Sequence, residues 1–288
     1  MFLPSKIIEE KLLKLLAEDL GQGDVTSGLI VPLGTTAEAE IVAKESGIAA
    51  GIEEATILLK SLGLEIETLI QDGEKIRTGQ KLIKVSGDAK TILAGERTVL
   101  NLLSRMSGIA TITSNLVEKL QKAKLKVTVA CTRKTAPGLM YFDKKAVLIG
   151  GGDTHRLHLD DMILIKDNHI AVAGGIEKAL GKARRGASFS KKIEVEVTNE
   201  EDALKAAKTG AEIIMLDNFS PNQARKACAL LRKAERQSQI LIEASGGINA
   251  ENFMKYALTG VDIVSLGQIT QSPKALDMCL EITKTSRK

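Results

Sequence analysis

The sequence predicts an α/β protein in which an N-terminal α+β sandwich domain precedes an incomplete TIM-like α/β barrel. Two observations support this fold class. In the second half, short apolar segments rich in β-branched residues alternate with amphipathic segments, which is typical of parallel strands joined by helices. In the first half, alternating strand patterns are divided by DG and TG turn signals. The 288 residues are enough for both parts.

The composition excludes some classes of function. Hydrophobic residues make up 44% and charged residues 26% of the chain, as in ordinary globular proteins. Aromatic residues are only 2%, with no Trp, so the platforms on which single-stranded nucleic acid stacks are lacking. The net charge of +4 is small and scattered, which argues against duplex binding. We expect no nucleic-acid partner.

The cysteines and the N-terminus indicate a compartment. Cys131, Cys228 and Cys279 are far apart and odd in number, so a disulfide framework is not expected. The first 21 residues mix Glu, Lys and Asp with apolar residues and lack an uncharged apolar core. No apolar stretch approaches the length that spans a bilayer. We expect a cytoplasmic protein that does not bind membranes.

The first domain is predicted at residues 1–110. Its first helix should have Ser5 as N-cap and end at Gly21. Strand patterns and one further helix follow as far as Gly87, and nothing in this region has a catalytic pattern. A long helical pattern then covers residues 89–122, with a break expected at Ser107–Gly108.

The barrel domain is predicted at residues 111–271. Its strands are LKVTVAC, DMILIK, KIEVEV, EIIMLDN, ILIEAS and VDIVSLG, and AVLIG at 146–150 is a candidate seventh strand. Helix starts are marked where a Ser precedes Pro221 and Pro273. The second of these predicts a C-terminal helix over residues 272–288.

Barrel enzymes carry their chemistry at the carboxyl ends of the strands, so we consider the residues that end each strand together. Cations follow the first two strands, carboxylates end the middle ones, and glycine-rich turns follow the last ones. In order, the strand ends are Arg133 and Lys134, Lys166 and Asp167, Glu196, Asp217 and Asn218, Ser245–Gly246–Gly247, and Gly267.

Each class of residue suggests a ligand. Glycine turns that lead into helices offer backbone amides to a phosphate. Glu196 and Asp217 are hard oxygen donors that suit Mg²⁺. The cations exceed what one phosphate needs and suit a second small polyanion; they are Arg133, Lys134, Arg156 and Lys166, helped by His155. The strand ends therefore predict a phosphorylated sugar with Mg²⁺ beside an acidic co-substrate.

Other interpretations of these residues remain open. The cations can be solvated loop residues, and Glu194 and Glu196 can be ordinary strand charges. The three histidines, His155, His158 and His169, lack the spacing of a helical zinc motif. The glycine runs can serve packing or turns. Cys131 has no adjacent His–Asp arrangement and reads as a buried strand residue.

Seven motifs in this order resemble the quinolinate phosphoribosyltransferase family: TRKTAPGL, GGGDTHRLHL, LIKDNHI, IEVEV, IIMLDN, EASGGI and VDIVSLG. The similarity extends upstream through EDLGQGDVTS, DGEKIRTGQ and GERTVLNLLSRMSGIAT and covers nearly the whole chain. It implies a sandwich domain to which the C-terminal helix returns, an open barrel, and a homodimer with shared active sites. The implied reaction joins quinolinate to phosphoribosyl pyrophosphate and releases CO₂ and pyrophosphate, giving nicotinate mononucleotide for NAD biosynthesis.

The resemblance also implies roles for individual residues. The quinolinate carboxylates would meet Arg133, Arg156, Lys166 and His155, with Thr132 nearby and Arg97 entering from the other subunit. Lys134, Glu196 and Asp217 would serve phosphoribosyl pyrophosphate and its Mg²⁺, and Ser245, Gly246, Gly247 and Gly267 would bind its 5′-phosphate. The implied catalytic groups are Lys134, Lys166, Glu196 and Asp217, with one of the lysines stabilising developing negative charge.

Three positions depart from the family pattern. Thr154 stands where an asparagine is common, His158 where a glycine is common, and Gln271 where a histidine usually follows the threonine. A relative associated with molybdate transport shares TRKT and the His–Arg pair but typically lacks KDNH, which is intact here. A phosphoribosyltransferase for another heteroaromatic acid and a non-catalytic barrel that binds phosphorylated ligands are the remaining alternatives.

Overall fold

The computed structural model describes residues 3–234 and 240–287. The chain forms two compact units. The first comprises Met1–Ser114, Leu148–Gly151 and Pro273–Lys288, and the second Asn115–Val147 and Gly152–Ser272. None of the helices in the described ranges combines the length and apolarity that crossing a membrane requires.

The described residues form helices of 4 to 34 residues and strands of 2 to 10 residues. The helices are α1 (Ser5–Leu20), α2 (Val25–Ile30), α3 (Ile52–Ser61), α4 (Ala89–Lys122), α5 (Met140–Ile149), α6 (Asp167–Ala173), α7 (Ile176–Gly186), α8 (Glu200–Thr209), α9 (Pro221–Ala234), α10 (Phe253–Ala257) and α11 (Gln268–Gln271). The strands are β1 (Thr35–Ala43), β2 (Gly47–Ile48), β3 (Glu65–Thr68), β4 (Lys75–Ile76), β5 (Lys81–Asp88), β6 (Thr128–Cys131), β7 (Ile163–Ile165), β8 (Ile193–Val197), β9 (Ile213–Asp217), β10 (Leu241–Ser245), β11 (Ile263–Leu266) and β12 (Met278–Arg287).

The first unit is built on an antiparallel sheet of order β12-β1-β5-β3. On β1, Ala37, Ala39 and Ile41 are buried while Glu38 is exposed, which is the period-two pattern of a sheet with one covered face. Helix α3 packs against β3 and β5, and α1 packs against α3. The predicted sandwich of helices and a small sheet is therefore present.

The prediction of a helix over residues 272–288 was wrong. Met278–Arg287 is strand β12, which pairs antiparallel with β1 from Ala43↔Met278 to Thr35↔Arg287. Ser272 ends α11 instead of starting a helix. Pairing with a strand more than 230 positions away is a tertiary effect that overrides local helix propensity. Lys288 lies outside the described residues.

Two smaller helix predictions also need correction. Ser5 is the first residue of α1, and Pro4 precedes it without a side-chain cap, whereas Gly21 ends the helix as expected. Helix α4 continues through Ser107–Gly108 without a break. A Cβ on Gly108 would lie 2.0 Å from the carbonyl oxygen of Lys274, so this glycine allows a backbone segment of the same unit to approach the helix.

The second unit is a parallel sheet of order β6-β11-β10-β9-β8-β7 with helices between the strands. Its strands are buried nearly throughout, as expected for strands covered on both faces. The sheet ends at β6 and β7, so the barrel is incomplete and the predicted fold class is confirmed.

The candidate seventh strand is absent from the described residues. Residues 146–149 belong to α5, whose Phe142, Ala146 and Val147 are buried. A helix buried on most of its surface gives the same continuous apolar run as a buried strand. Only Asp153, beyond the helix, makes a single parallel bridge to Ala130 of β6.

Candidate active site

A cavity of about 530 Å³ lies at the carboxyl ends of the six strands in the second unit. It is lined by all the residues predicted for the site except Arg97 and Gly267: Thr132, Arg133, Lys134, His155, Arg156, Lys166, Glu196, Asp217, Ser245, Gly246 and Gly247. Six further residues complete the lining: Cys131, Leu164, Met215, Asn218, Glu243 and Ser265. Most of this lining could thus be predicted from the sequence.

The two remaining predicted residues lie elsewhere. Gly267 is beside the lining, because a Cβ on it would be 3.2 Å from Lys134 Cδ and 3.6 Å from Thr132 Oγ1. A Cβ there would crowd the Lys134 side chain and make an ordinary contact with Thr132. Arg97 belongs to α4 in the first unit, where its side chain is 64% exposed and 4.0 Å from Glu96. Its guanidinium is therefore available to a ligand or a partner.

Arg133 and Arg156 place two guanidinium groups in the cavity. Arg156 is buried, with 8% of its surface exposed. Burial lowers the pKa of its guanidinium, the positive charge of Arg133 lowers it further, and Glu194 acts in the opposite direction. Arginine nonetheless stays protonated in proteins, so the pair creates a strong positive potential that favours a small anion with several acceptor oxygens.

Lys166 and Glu196 form an ion pair across the cavity, with 2.5 Å between Lys166 Nζ and Glu196 Oε2. Lys166 immediately precedes α6, and its backbone N–H donates to Nδ1 of His169 at 2.9 Å. His169 therefore closes the first turn of that helix and fixes the backbone of Lys166. The third histidine, His158, is exposed and does not line the cavity.

The SGG turn after β10 is held by Asn218. Its backbone N–H donates to the Ser245 carbonyl at 2.9 Å, and its Nδ2 donates to Asp217 Oδ2 at 2.8 Å. Gly246 and Gly247 have φ values of +88° and +62°. A Cβ on Gly246 would lie 2.5 Å from Asn218 Oδ1, so the turn and the carboxylate beside it form one tightly packed element.

Two buried carboxylates beneath His155 were not predicted as site residues. His155 Nε2 lies 3.2 Å from Glu243 Oε2 and 3.3 Å from Glu194 Oε2, and both glutamates are fully buried. Nδ1 of the same ring accepts the backbone N–H of Arg156 at 2.8 Å. Both ring nitrogens are thus engaged by the protein, so His155 lines the cavity with its ring and holds Arg156 in place.

The two carboxylates change the pKa of His155. Burial lowers the pKa of His155, but the carboxylates of Glu194 and Glu243 outweigh it and raise that pKa to about 10. Burial also raises the pKa of Glu194. Nδ1 accepts a backbone N–H, so Nε2 is the ring nitrogen that directs its hydrogen towards the two carboxylates.

The sequence contained a signal for Glu243. It stands in the middle of the apolar strand ILIEAS, two residues before Ser245, and residues two apart on a strand face the same side. Glu194 and Glu196 are related in the same way. A glutamate inside a continuous apolar strand needs a partner, so its position alone predicts a buried charge cluster.

All three departures from the family pattern lie outside the cavity lining. Thr154 directs its carbonyl oxygen to Lys144, and its hydroxyl donates to the His155 carbonyl at 2.9 Å. His158 is in an exposed loop whose backbone is bound by Asp161. The third, Gln271, has its Oε1 3.6 Å from where a Cβ of Gly267 would lie, so it is close to the Lys134 side of the cavity.

Comparison with known proteins agrees with this geometry. Residues 24–107 match the model of the quinolinate phosphoribosyl transferase N-terminal domain, and residues 109–281 match that of its C-terminal domain. A probable carboxylating nicotinate-nucleotide pyrophosphorylase of Methanothermobacter thermautotrophicus is 43% identical over 93% of this chain and 96% of its own length. The corresponding protein of Rattus norvegicus is 38% identical over 85% of this chain and 82% of its own length.

Solved structures give the same result. The nicotinate-nucleotide pyrophosphorylase of Francisella tularensis superimposes with a TM-score of 0.88 at 36% identity, covering 98% of both chains. A structure from Ehrlichia chaffeensis, with the same enzyme name, has a TM-score of 0.87 at 34% identity and covers 98% of this chain and 100% of its own. Sequence and fold agree along both domains, and the chain belongs to the quinolinate phosphoribosyltransferase family.

Proposed function

We propose that this protein transfers the phosphoribosyl group of phosphoribosyl pyrophosphate to quinolinate and releases pyrophosphate and CO₂, giving nicotinate mononucleotide. The observation that carries the proposal is a single cavity that joins two guanidinium groups and two lysines to a glycine turn. Relatives that align over most of both chains are named carboxylating nicotinate-nucleotide pyrophosphorylases. The enzyme class is a pentosyltransferase.

The acceptor binds at the guanidinium side of the cavity. Quinolinate has two adjacent carboxylates, and the planar forks of Arg133 and Arg156 suit them. Lys166 can exchange Glu196 for a substrate carboxylate, because an ion pair whose lysine is 43% exposed is weak. Thr132, whose Oγ1 accepts the Lys134 backbone N–H at 3.1 Å, lies between the acid and sugar sides.

The sugar phosphate binds at the glycine side. The turn Ser245–Gly246–Gly247 offers backbone amides to the 5′-phosphate, as oriented amides do in other phosphate sites. Gly267 and Lys134 lie next to each other and extend this surface. The ribosyl carbon is thereby held between a fixed phosphate and a fixed acceptor nitrogen, which favours in-line displacement.

The chemistry needs positive charge and no nucleophilic side chain. The bond from the ribosyl carbon to pyrophosphate breaks as the pyridine nitrogen forms its bond, and Lys134 neutralises charge that develops on the leaving group. The alkylated nitrogen is then positive. Its charge stabilises the electron pair that stays on the adjacent carbon when the carbon–carboxylate bond breaks and CO₂ departs, and a proton then adds to that carbon.

Mg²⁺ is part of the proposal. Asp217 is a half-buried carboxylate that gives one oxygen to Asn218, and an ionised carboxylate can accept further ligands. Glu196 is a second oxygen donor once Lys166 turns to the substrate. Both suit a hydrated Mg²⁺ that arrives with the pyrophosphate, where the ion would neutralise the leaving group.

We also propose a homodimer in which Arg97 of each subunit reaches the partner's cavity. Arg97 is largely exposed, and four large apolar side chains around α2, namely Val25, Leu29, Ile30 and Leu33, are 74%, 81%, 72% and 85% exposed. Such a patch is typical of a surface that another chain covers. Cytoplasmic residence is consistent with three free cysteines, two of them buried.

A mixing experiment tests the shared site. Arg97→Ala and Arg133→Ala subunits, each inactive alone, should regain roughly a quarter of the wild-type activity when unfolded and refolded together, because half of the dimers then have one intact site. If the mixture stays inactive although it forms dimers, Arg97 does not act in the partner's site.

A stoichiometry experiment tests the reaction. Purified protein with quinolinate, phosphoribosyl pyrophosphate and Mg²⁺ should form nicotinate mononucleotide and CO₂ in equal amounts, and Arg133→Ala should abolish both. Lys205→Met, on the exposed face of α8, is the matched control and should keep full activity. Product without CO₂ from a monocarboxylate acceptor would instead identify a phosphoribosyltransferase for another acid.

A further inference from the structure

Lys144 of α5 is fully buried, and the proposed chemistry does not use it. Its ammonium group donates to the carbonyl oxygen of Thr154 and lies 3.3 Å from that of Arg156. Lysine is among the residues least often buried, because an ammonium group loses its hydration in the interior. Its retention there calls for a structural reason.

The two carbonyls flank a strained residue. His155 has φ of +52°, in the left-handed region that non-glycine residues rarely adopt. Such a conformation persists only where several contacts with the surrounding structure hold it in place. Here the Asp153 carboxylate accepts the His155 backbone N–H at 2.6 Å, and Asp153 is fixed to β6 by hydrogen bonds with Val129 and Cys131.

Lys144 provides a second set of contacts that hold His155, through the carbonyl groups of its two neighbours. The turn at His155 brings the carbonyl oxygens of Thr154 and Arg156 to the same ammonium group. Without a cation their negative ends would repel each other, and the segment could relax to an ordinary conformation. An ammonium group is compact and has three donors, so it can bridge two carbonyls, whereas the planar guanidinium of arginine fits such a site poorly.

The segment carries the acid-binding groups. Arg156 and His155 both line the cavity, and the backbone N–H of Arg156 donates to Nδ1 of the His155 ring. A small rotation of this segment would move the Arg156 guanidinium while leaving the Ser245–Gly247 turn, on a different strand, in place. Loss of the Lys144 hydrogen bonds should therefore weaken the binding of quinolinate and leave the binding of phosphoribosyl pyrophosphate nearly unchanged.

We propose that Lys144 is a positioning residue that holds the strained segment Thr154–Arg156 and thereby sets the geometry of the dicarboxylate side of the cavity. The inference rests on the proposed function in that quinolinate is taken as the dicarboxylate. It assigns Lys144 no contact with either substrate.

The test compares the two substrates in Lys144→Met, which keeps the length of the side chain and removes its charge. We expect KM for quinolinate to rise roughly tenfold or more, the effect of misplacing one charge-assisted hydrogen bond. The affinity for phosphoribosyl pyrophosphate, measured by calorimetry, should stay within about twofold of wild type. Lys205→Met is again the control. Equal losses for both substrates, or an unchanged quinolinate KM, would overturn the proposal.

Chemical rescue separates positioning from general damage. Lys144→Ala leaves a space that a small alkylammonium ion can fill, and added propylammonium should lower the quinolinate KM of this variant but not that of Arg156→Ala. No rescue at any amine concentration counts against the proposal. If Lys144→Met does not fold, Lys144→Gln, which keeps a hydrogen-bond donor, takes its place. The same result is expected: a higher KM for quinolinate and a nearly unchanged affinity for phosphoribosyl pyrophosphate.

Binding of phthalate, a dicarboxylate without the pyridine nitrogen, distinguishes failure of this inference from failure of the proposed reaction. If wild type binds phthalate but makes no nicotinate mononucleotide, the reaction is wrong, and weaker phthalate binding by Lys144→Met still supports the positioning role. If Lys144→Met binds phthalate as wild type does, the positioning role is wrong whatever the reaction.

Discussion

The ammonium group of Lys166 lies 2.5 Å from Glu196 Oε2. In the free protein the best-placed lysine of the cavity is therefore already paired with a carboxylate. The partners are 43% and 13% exposed, so the pair is partly screened by solvent and contributes little to stability. In the proposed complex a substrate carboxylate would compete with Glu196 for this lysine, and acid binding would release a carboxylate on the side proposed for the sugar phosphate.

The first prediction concerns Glu196→Gln. Removing the competing charge should tighten quinolinate binding several-fold, because Lys166 no longer has to leave an ionised partner. Turnover should fall by roughly 10-fold to 100-fold, since a carboxylate beside the leaving group is lost. Calorimetry and initial rates measure the two effects separately. Unchanged or weaker quinolinate binding would mean that the ion pair does not compete with the substrate.

The second prediction concerns Lys166→Ala. If this lysine acts mainly in the transition state, kcat should fall by about 100-fold while quinolinate affinity changes little. Lys166 gains a substrate carboxylate only by giving up Glu196, and Arg133 and Arg156 still bind the acid. Affinity is measured by calorimetry and kcat by product formation. Weakened binding at an unchanged kcat would instead assign Lys166 to ground-state recognition.

The third prediction follows from the cluster of His155, Glu194 and Glu243. In the folded protein the pKa of His155 is raised to about 10 from the ordinary value of 6.5. A pKa raised by folding contributes stability that is complete below the unfolded value and is lost as the pH rises through the folded value. The free energy of unfolding should therefore fall between about pH 7 and about pH 10, by at most about 1.4 kcal/mol per pH unit from this cluster.

Urea denaturation of wild type and Glu243→Gln over this range isolates the contribution, since other titrating groups are common to both proteins. We expect the curve of the variant to be flatter, because one of the two carboxylates that raise the pKa of His155 is gone. A stability difference that is independent of pH would contradict the protonation of this cluster.

Several residues of the candidate site could be predicted from the sequence because they end parallel strands. Strand ends could be recognised because a parallel sheet places all of them at one edge, so Arg133, Lys166, Asp217 and Ser245 needed no knowledge of side-chain positions. The long-range match of seven motifs then identified the family correctly. The features that depend on the local sequence pattern, namely the strand ends and the family motifs, could be predicted.

The largest error came from non-local structure. β12 is a strand because β1 offers it an edge, and no feature of residues 278–287 alone reveals that partner. Lys144 reads as a surface lysine because its two carbonyl partners belong to a loop that follows its helix by several residues. Residues whose role depends on another element, or on a second subunit as proposed for Arg97, are hidden from a single chain.

The fourth prediction compares two neighbouring glycines. In Gly246→Ala the new Cβ would lie 2.5 Å from Asn218 Oδ1 and 2.7 Å from the Asn218 backbone nitrogen, at φ of +88°. Backbone atoms cannot move aside as a flexible side chain can, so Asn218 and the Asp217 carboxylate bound to it must shift. We expect the affinity for phosphoribosyl pyrophosphate to fall at least tenfold and stability to fall by roughly 1–3 kcal/mol.

Gly247→Ala is the matched control for this prediction. It has a similar positive φ of +62°, but no atom lies within 4 Å of its added Cβ. The strain of the left-handed conformation should therefore cost about 1 kcal/mol of stability without displacing Asn218. Phosphoribosyl pyrophosphate binding by calorimetry and urea denaturation compare the two variants. Equal losses of affinity would show that the close contact with Asn218 is not what positions the turn, whereas a loss confined to Gly246→Ala would place Asn218 and the phosphate turn in one functional unit.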